Sequence, residues 1–355
     1  MGPSTLQLAW QEAAKGASQR PTLPRSGHVA AALPEWHGHD VIMFGGYVED
    51  AEMKREAAND AWIYSISNGA WSPVTYAEGD VPRVRLAAQA VVVDRHLWLI
   101  AGWDPGHKRD GGEILSDLWR LDLSTYQWTQ IKPQGEELPA ISRFQAVALG
   151  SKIYIHTHRS LQDILMLDVA NPDEPVLGLL QVTSEDDPPM SRGLHSLTAA
   201  ADGRMFLFGG APKEGPMLGD LWSLTVSEGG SGAAWSELDP DGKAPHVRCS
   251  QAVAPVGNDI FFLGGSYYKV EGGLQPLNDF FVLDTKQLQW QYPRLDQGAG
   301  PSPRNAATLT AAGSKLVMYG GWNPFVKSYN DTFIMDVSGY AALRDSVPLE
   351  PEEDD

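Results

Sequence analysis

The chain of 355 residues contains one cysteine, Cys249, and no apolar run approaching the length of a membrane span. A single thiol cannot close an internal disulfide, and extracellular proteins of this size commonly carry several, so a reducing compartment is expected. The first residues include no apolar stretch of signal-peptide length, and the sixth residue is Leu6 rather than the Ser or Thr that a myristoylated Gly2 would need. The protein is therefore expected to be cytoplasmic, with no membrane association. Positive charge is scarce as well. Lys and Arg number 27 against 45 Asp and Glu, a net charge of −18, which argues against holding nucleic-acid phosphates. Six of the acids, Asp345, Glu350, Glu352, Glu353, Asp354 and Asp355, lie close together and leave −12 for the rest. Residues 341–355 are expected to be a disordered acidic tail, and residues 1–340 the folded domain. Motifs of catalysis are missing too: the sequence has no G-x-S-x-G, no phosphate-binding P-loop, no C-x-x-C and no H-E-x-x-H.

What the sequence has in quantity is glycine, 36 residues, and tryptophan, 12. Both fall into a repeat. Five apolar runs end in a pair of small residues: VIMFGG (41–46), LWLIAG (97–102), MFLFGG (205–210), IFFLGG (260–265) and LVMYGG (316–321). KIYIHT (152–157) holds a sixth place without the glycines. An arginine precedes each run, taken as Arg25, Arg83, Arg143, Arg192, Arg248 and Arg304, at intervals of 58, 60, 49, 56 and 56 residues. Such periods mark a repeat architecture.

Each unit reads as four strands: a small-residue strand, the apolar run, an alternating strand such as LWSLTV (221–226), and a tryptophan strand such as AWSEL (234–238). Strands that converge on a common axis need small side chains, and strands sandwiched between neighbours need apolar ones. The pattern predicts an all-β, six-bladed β-propeller of four-stranded blades. The last unit ends at Val337 without its tryptophan strand, and AWQEA (9–13) resembles the missing piece. Trp10 is thus expected in the outer strand of the last blade, joining the two ends of the ring. The third unit, with VLGLL (176–180) in the tryptophan slot, is expected to be atypical.

The glycine pair, the arginine, the spaced tryptophan and the pairs Asn59-Asp60, Ser116-Asp117, Gly219-Asp220, Asn278-Asp279 and Asn330-Asp331 together resemble the kelch-repeat β-propeller family. The resemblance covers residues 5–340 and implies a protein-interaction module or scaffold, since kelch propellers are most often interaction platforms. It also extends to plant specifier proteins, whose E-x3-D-x3-H motif holds iron. Glu113 and Asp117 match the first two places, but Leu121 stands in the third. A metal-dependent or specifier-like enzyme is the alternative; the leading reading requires no cofactor or metal.

Strand direction brings the arginines and the residues after each small pair to one face, together with the long loops, and loops on a rigid scaffold commonly carry binding. Candidate contacts there are the six arginines with Tyr47, Trp103, Tyr267 and Trp322; Arg85 and His107 join them as additions outside the repeat. Arginines around a central opening suit a carboxylate or an acidic peptide, whereas arginines repeated in register also suit bonds to neighbouring carbonyls or to the repeat aspartates. Trp103 and Trp322 are either exposed anchors or caps on their own blades. The partner is expected to be a protein, and the propeller a monomer.

Overall fold

The computed structural model describes residues 8–13, 23–106, 111–184, 187–296, 300–324 and 326–341. His107 and the acidic tail beyond Ala341 lie outside the described residues.

Six antiparallel sheets follow the repeat. Blade one is Val29–Ala32, Val41–Phe44, Ala61–Ser65 and Ala70–Pro73; blade five is Ala252–Val256, Asp259–Tyr268, Leu274–Asp284 and Gln289–Gln291. Blade two (residues 89–131), blade three (145–184) and blade four (196–238) are built in the same way. Blade six takes Thr308–Ala312, Lys315–Tyr319 and Thr332–Asp336 from one end of the chain and Gln11–Glu12 from the other. The N-terminal strand pairs antiparallel with the third strand, Gln11 opposite Ile334 and Glu12 opposite Phe333. Trp10, just before it, packs edge-on against Phe280 of blade five at 5.5 Å. The expected closure is present.

A closed ring of backbone hydrogen bonds joins the blades at the axis. The amide of Ala87 donates to Gly27, Arg143 to Ala87, Leu194 to Arg143, Ser250 to Leu194, Ala306 to Ser250, and Gly27 back to Ala306, all at 2.8–3.2 Å. Each of these residues has a positive φ, between 51° and 64°. Only Gly27 holds that conformation without strain; the other five hold it because their neighbours fix both ends of the peptide.

The apolar core is divided into six wedges, one between each pair of adjacent blades. The outer tryptophans supply much of their bulk. Trp128 meets Phe44 of the preceding blade, Trp290 meets Phe208, and Trp71 meets Tyr319 across the seam between blades six and one. The glycine pairs serve the same seams. A Cβ on Gly264 or Gly320 would lie within 2.7 Å of the carbonyl oxygen of the next blade's arginine, and the second glycine of each pair donates its amide to that same oxygen.

Candidate functional site

The structure shifts the arginine register in two blades. The buried guanidinium groups belong to Arg25, Arg85, Arg192, Arg248 and Arg304, each 0–2% exposed. Each grips the repeat aspartate of its own blade with two parallel bonds: Asp60, Asp117, Asp220, Asp279 and Asp331. Each also donates to the carbonyl of the first residue of the small pair, for example Arg85 to Ala101 at 2.8 Å and Arg248 to Gly264 at 2.9 Å. In the first three blades with this pair, the aspartate also accepts from an indole N–H two residues on, at 2.7 Å. Desolvation works against the charged carboxylates of Asp60, Asp117 and Asp220, but their arginine partners outweigh it and hold them below the usual range.

Arg85, assigned from sequence as an addition outside the repeat, is thus the repeat arginine of blade two, and Arg83 is not. Arg83 is 39% exposed and sits between Asp104, at 2.7 Å, and Glu113, at 3.0 Å. In blade three the repeat position is Ile141, whose carbonyl accepts from Gly102 as the arginine carbonyls do elsewhere. Asp163 holds the place of the aspartate, since Gln145 opposite His156 corresponds to Ala252 opposite Leu263, which sets Ile164 level with Phe280. Blade three has replaced the arginine of the ion pair with an apolar residue and keeps the acid. Arg143 stands two residues beyond the repeat position, on the axial ring itself, and is exposed. The five buried guanidinium groups are consumed by the scaffold, which removes them from the set available to a partner.

The Glu113/Asp117 pair is also divided. Asp117 belongs to Arg85, Glu113 to Arg83, and Leu121 is fully buried. Among the described residues no group of three or more His, Cys, Asp or Glu side chains is placed to hold a metal ion. Cys249 is buried, and burial pushes its thiol pKa up, away from the thiolate form.

The face carrying these turns is crowned by hairpins that extend the second and third strands. In blade five the pairing runs past the glycines to Tyr268 opposite Leu274, and in blade two to Asp104 opposite Glu113. Blade one adds Tyr47–Glu49 with Arg55–Ala57, blade six Trp322–Asn323 with Lys327–Ser328, and blade four a shorter extension to Leu218. Blade three has no such extension; its turn at 157–162 leaves a gap in the crown.

Within the crown, Trp103 exchanges backbone bonds with Leu86, and Trp322 with Asn305. Trp103 meets Tyr47 edge-on at 6.3 Å, and Arg55 lies over Trp322 at 4.6 Å. Both tryptophans are half-buried and tied to their own scaffold. Glu49 joins the hairpins of blades one and six by accepting from Arg55 and from the Ser328 amide and hydroxyl. Burial opposes its charge, but these donors prevail and hold its carboxyl below the ordinary value. Tyr267 stacks on His246 at 4.0 Å, leaving Tyr268 and Val270 exposed beyond it.

Two features stand out chemically. The large exposed apolar side chains gather on this face, including Met53, Ile114, Leu161, Met190, Tyr268, Val270 and Val326; Trp36 is the main example on the opposite one. And the arginines of this face that lack a carboxylate partner among the described residues, Arg143 and Arg159, both belong to blade three and both are exposed. Arg143 also lines a central cavity of about 200 Å³ along the axis, whose walls mix alanines of the inner strands with Gln89, Gln145 and Gln251.

A closed six-bladed propeller with a loop crown on one face is a class defined by its scaffold. The family model described as the KLHDC2/KLHL20/DRC7 kelch-repeats domain matches residues 4–157 and 158–341, so the chain belongs to the kelch-repeat family. It is 25% identical to Kelch domain-containing protein 3 of Bos taurus over 84% of this chain and 78% of that protein. It is 26% identical to Kelch domain-containing protein 2 of Bos taurus over 88% of this chain and 67% of that one. Host cell factor of Drosophila melanogaster is 23% identical over 87% of this chain, which spans 21% of that longer protein. Among the described residues no helix is long and apolar enough to cross a membrane.

Proposed function

We propose that the crowned face docks a protein partner, with an acidic segment of that partner seated in the gap over blade three. The observation that carries this reading is the coincidence of Arg143 and Arg159, with no carboxylate against them among the described residues, in the blade that has no crown hairpin. Leu161 and Met190 flank the same gap with 46% and 53% of their surfaces exposed. Apolar anchors beside unpaired arginines are the composition of interface hot spots. The rigid ring below means that a partner meets a preformed surface, which lowers the cost of ordering on binding.

The test is comparative affinity purification followed by direct titration of the partner recovered. Reversing both charges, Arg143→Glu with Arg159→Glu, is expected to weaken capture by tenfold or more, about 1.4 kcal/mol, with thermal unfolding almost unchanged. Trp36→Ala on the opposite face serves as the control and is expected to bind normally. If the charge-reversed protein recovers the same partner at the same affinity, the assignment to blade three is wrong.

A further inference from the structure

The seam between blades three and four differs from the others. In most seams the second residue of the small pair donates its amide to the next blade's arginine carbonyl, or to Ile141 in blade three. Here the pair is Thr157-His158: no bond joins the His158 amide to the Arg192 carbonyl, and the Thr157 amide turns to Ser160 Oγ within its own loop. The seam is held by the ring bond from Leu194 to Arg143, by parallel pairing of Val182–Ser184 with Ala233–Trp235, by the apolar wedge the two blades share, and by side-chain bonds from Ser191 Oγ to the His158 carbonyl and from Thr183 Oγ1 to the Ala233 carbonyl. One further side-chain contact, buried, joins His156 Nδ1 of blade three to His195 Nε2 of blade four at 3.0 Å, the two rings meeting edge-on.

Both imidazoles are buried, 1% and 2% exposed, and the far nitrogens, His156 Nε2 and His195 Nδ1, make no hydrogen bond. One ring must donate and the other accept, so the closed contact requires at least one neutral ring. The groups packed around the pair give no help to a positive charge. Trp235 from the outer strand of blade four lies edge-on to His156 at 5.5 Å, and the charged group acting on both rings is the Arg192 guanidinium, whose own partner is Asp220. We propose that this histidine pair is an acid-sensitive latch, and that lowering the pH opens the ring preferentially between blades three and four.

The direction follows from linkage. Burial, and then the Arg192 charge, push His156 down from its ordinary 6.5 to about 3, and burial, His156 and Arg192 push His195 well below 6.5. The closed seam therefore does not take up a proton in the mildly acidic range. The open seam, with hydrated histidines near 6.5, does. Closure is at full strength above that value and weakens as the pH falls below it, about tenfold per unit for each histidine. Two histidines make the opening roughly 100-fold more frequent at about pH 5.5 than at about pH 7.5.

Amide hydrogen exchange on the intact protein, corrected for the intrinsic pH dependence of exchange, reads each seam separately through the ring amides. Leu194 reports on the seam with two buried histidines and is expected to lose about 100-fold in protection over that range. Gly27 reports on the seam between blades six and one, where His28 is buried alone against Thr308 and Tyr319, and is expected to lose about tenfold. Ala87, Arg143, Ser250 and Ala306 report on seams without a buried histidine and are expected to change little. The variant His195→Gln, which installs the residue that Gln251 supplies one blade on, should remove the excess loss at Leu194. A uniform loss at all six amides, or none at Leu194, would overturn the proposal even if the variant fails to fold.

Discussion

Asp279→Ile is expected to cost about 3–5 kcal/mol of folding stability, and adding Arg248→Ile to it is expected to restore at least half of that loss. The single change strands a guanidinium that is fully buried and donates its two shortest bonds, both 2.6 Å, to the Asp279 carboxylate. Arg248 would keep its bonds to the Gly264 and His246 carbonyls and its stacking on Phe281 at 4.7 Å. Those contacts do not neutralise the charge. Removing Arg248 alone is expected to be milder, because the Asp279 side chain is 36% exposed and can be rehydrated. The double change removes both charges and leaves the two carbonyls short of a donor, which is why recovery is incomplete.

Blade three supplies a precedent at the arginine position within the same molecule: Ile141 stands there at 1% exposure, with Asp163 at the place of the acid, and the sheet forms. Guanidinium unfolding of the two single variants and the double variant, compared at constant m-value, measures the order directly. A double variant less stable than Asp279→Ile would show that the ion pair contributes more than the mutual rescue of two buried charges.

The same residues show how far the sequence was legible. Blade number, strand order, ring closure through the N-terminal strand and the oddity of blade three all followed from period and composition, because each depends on residue size and polarity at repeated places. The arginine register did not. Arg83 and Arg85 are both near the required position, and blade three offers Arg143 where the repeat holds Ile141. The discriminating quantity was spacing: the arginine stands 16 residues before its carbonyl partner in blades two, five and six. Counting back from Ala101 reaches Arg85. The alternative roles of the arginines and the aspartates, binding or mutual pairing, could not be separated without knowing that both side chains point into the same blade. The gap over blade three was visible only as lost glycines; that it coincides with two arginines unpaired among the described residues is a three-dimensional fact. The His156–His195 contact joins residues on different blades whose side chains meet only once the ring is closed.

Ring closure itself should be most sensitive at Trp71. This side chain is 2% exposed, lies 5.0 Å from Tyr64 and 4.8 Å from Tyr319, and donates to Thr332 Oγ1 at 2.9 Å across 261 residues of sequence. It belongs to the wedge between blades six and one, whose buried members are Val41, Met43, Tyr64, Trp71, Val317 and Tyr319. That is the smallest of the six wedges, so losing one indole removes a larger share of it. Trp71→Ala is expected to cost about 3–5 kcal/mol from the cavity and lost burial, with a further contribution from Thr332 left without its donor. Trp290→Ala, at the matching position between blades four and five, is the comparison: Trp290 is 5% exposed and its wedge retains four other aromatic side chains, Phe206, Phe208, Phe262 and Phe281. The chain also runs directly between blades four and five, so a loosened wedge there does not separate them, whereas blades one and six are held only by non-covalent contacts and the two-residue pairing of Gln11–Glu12. Trp71→Ala should therefore lower the denaturant midpoint further than Trp290→Ala. Trp71→Phe, which keeps the ring but not the donor, should fall between Trp71→Ala and the unaltered protein. Equal losses at Trp71 and Trp290 would mean that the pairing of the N-terminal strand, rather than this wedge, carries the closure.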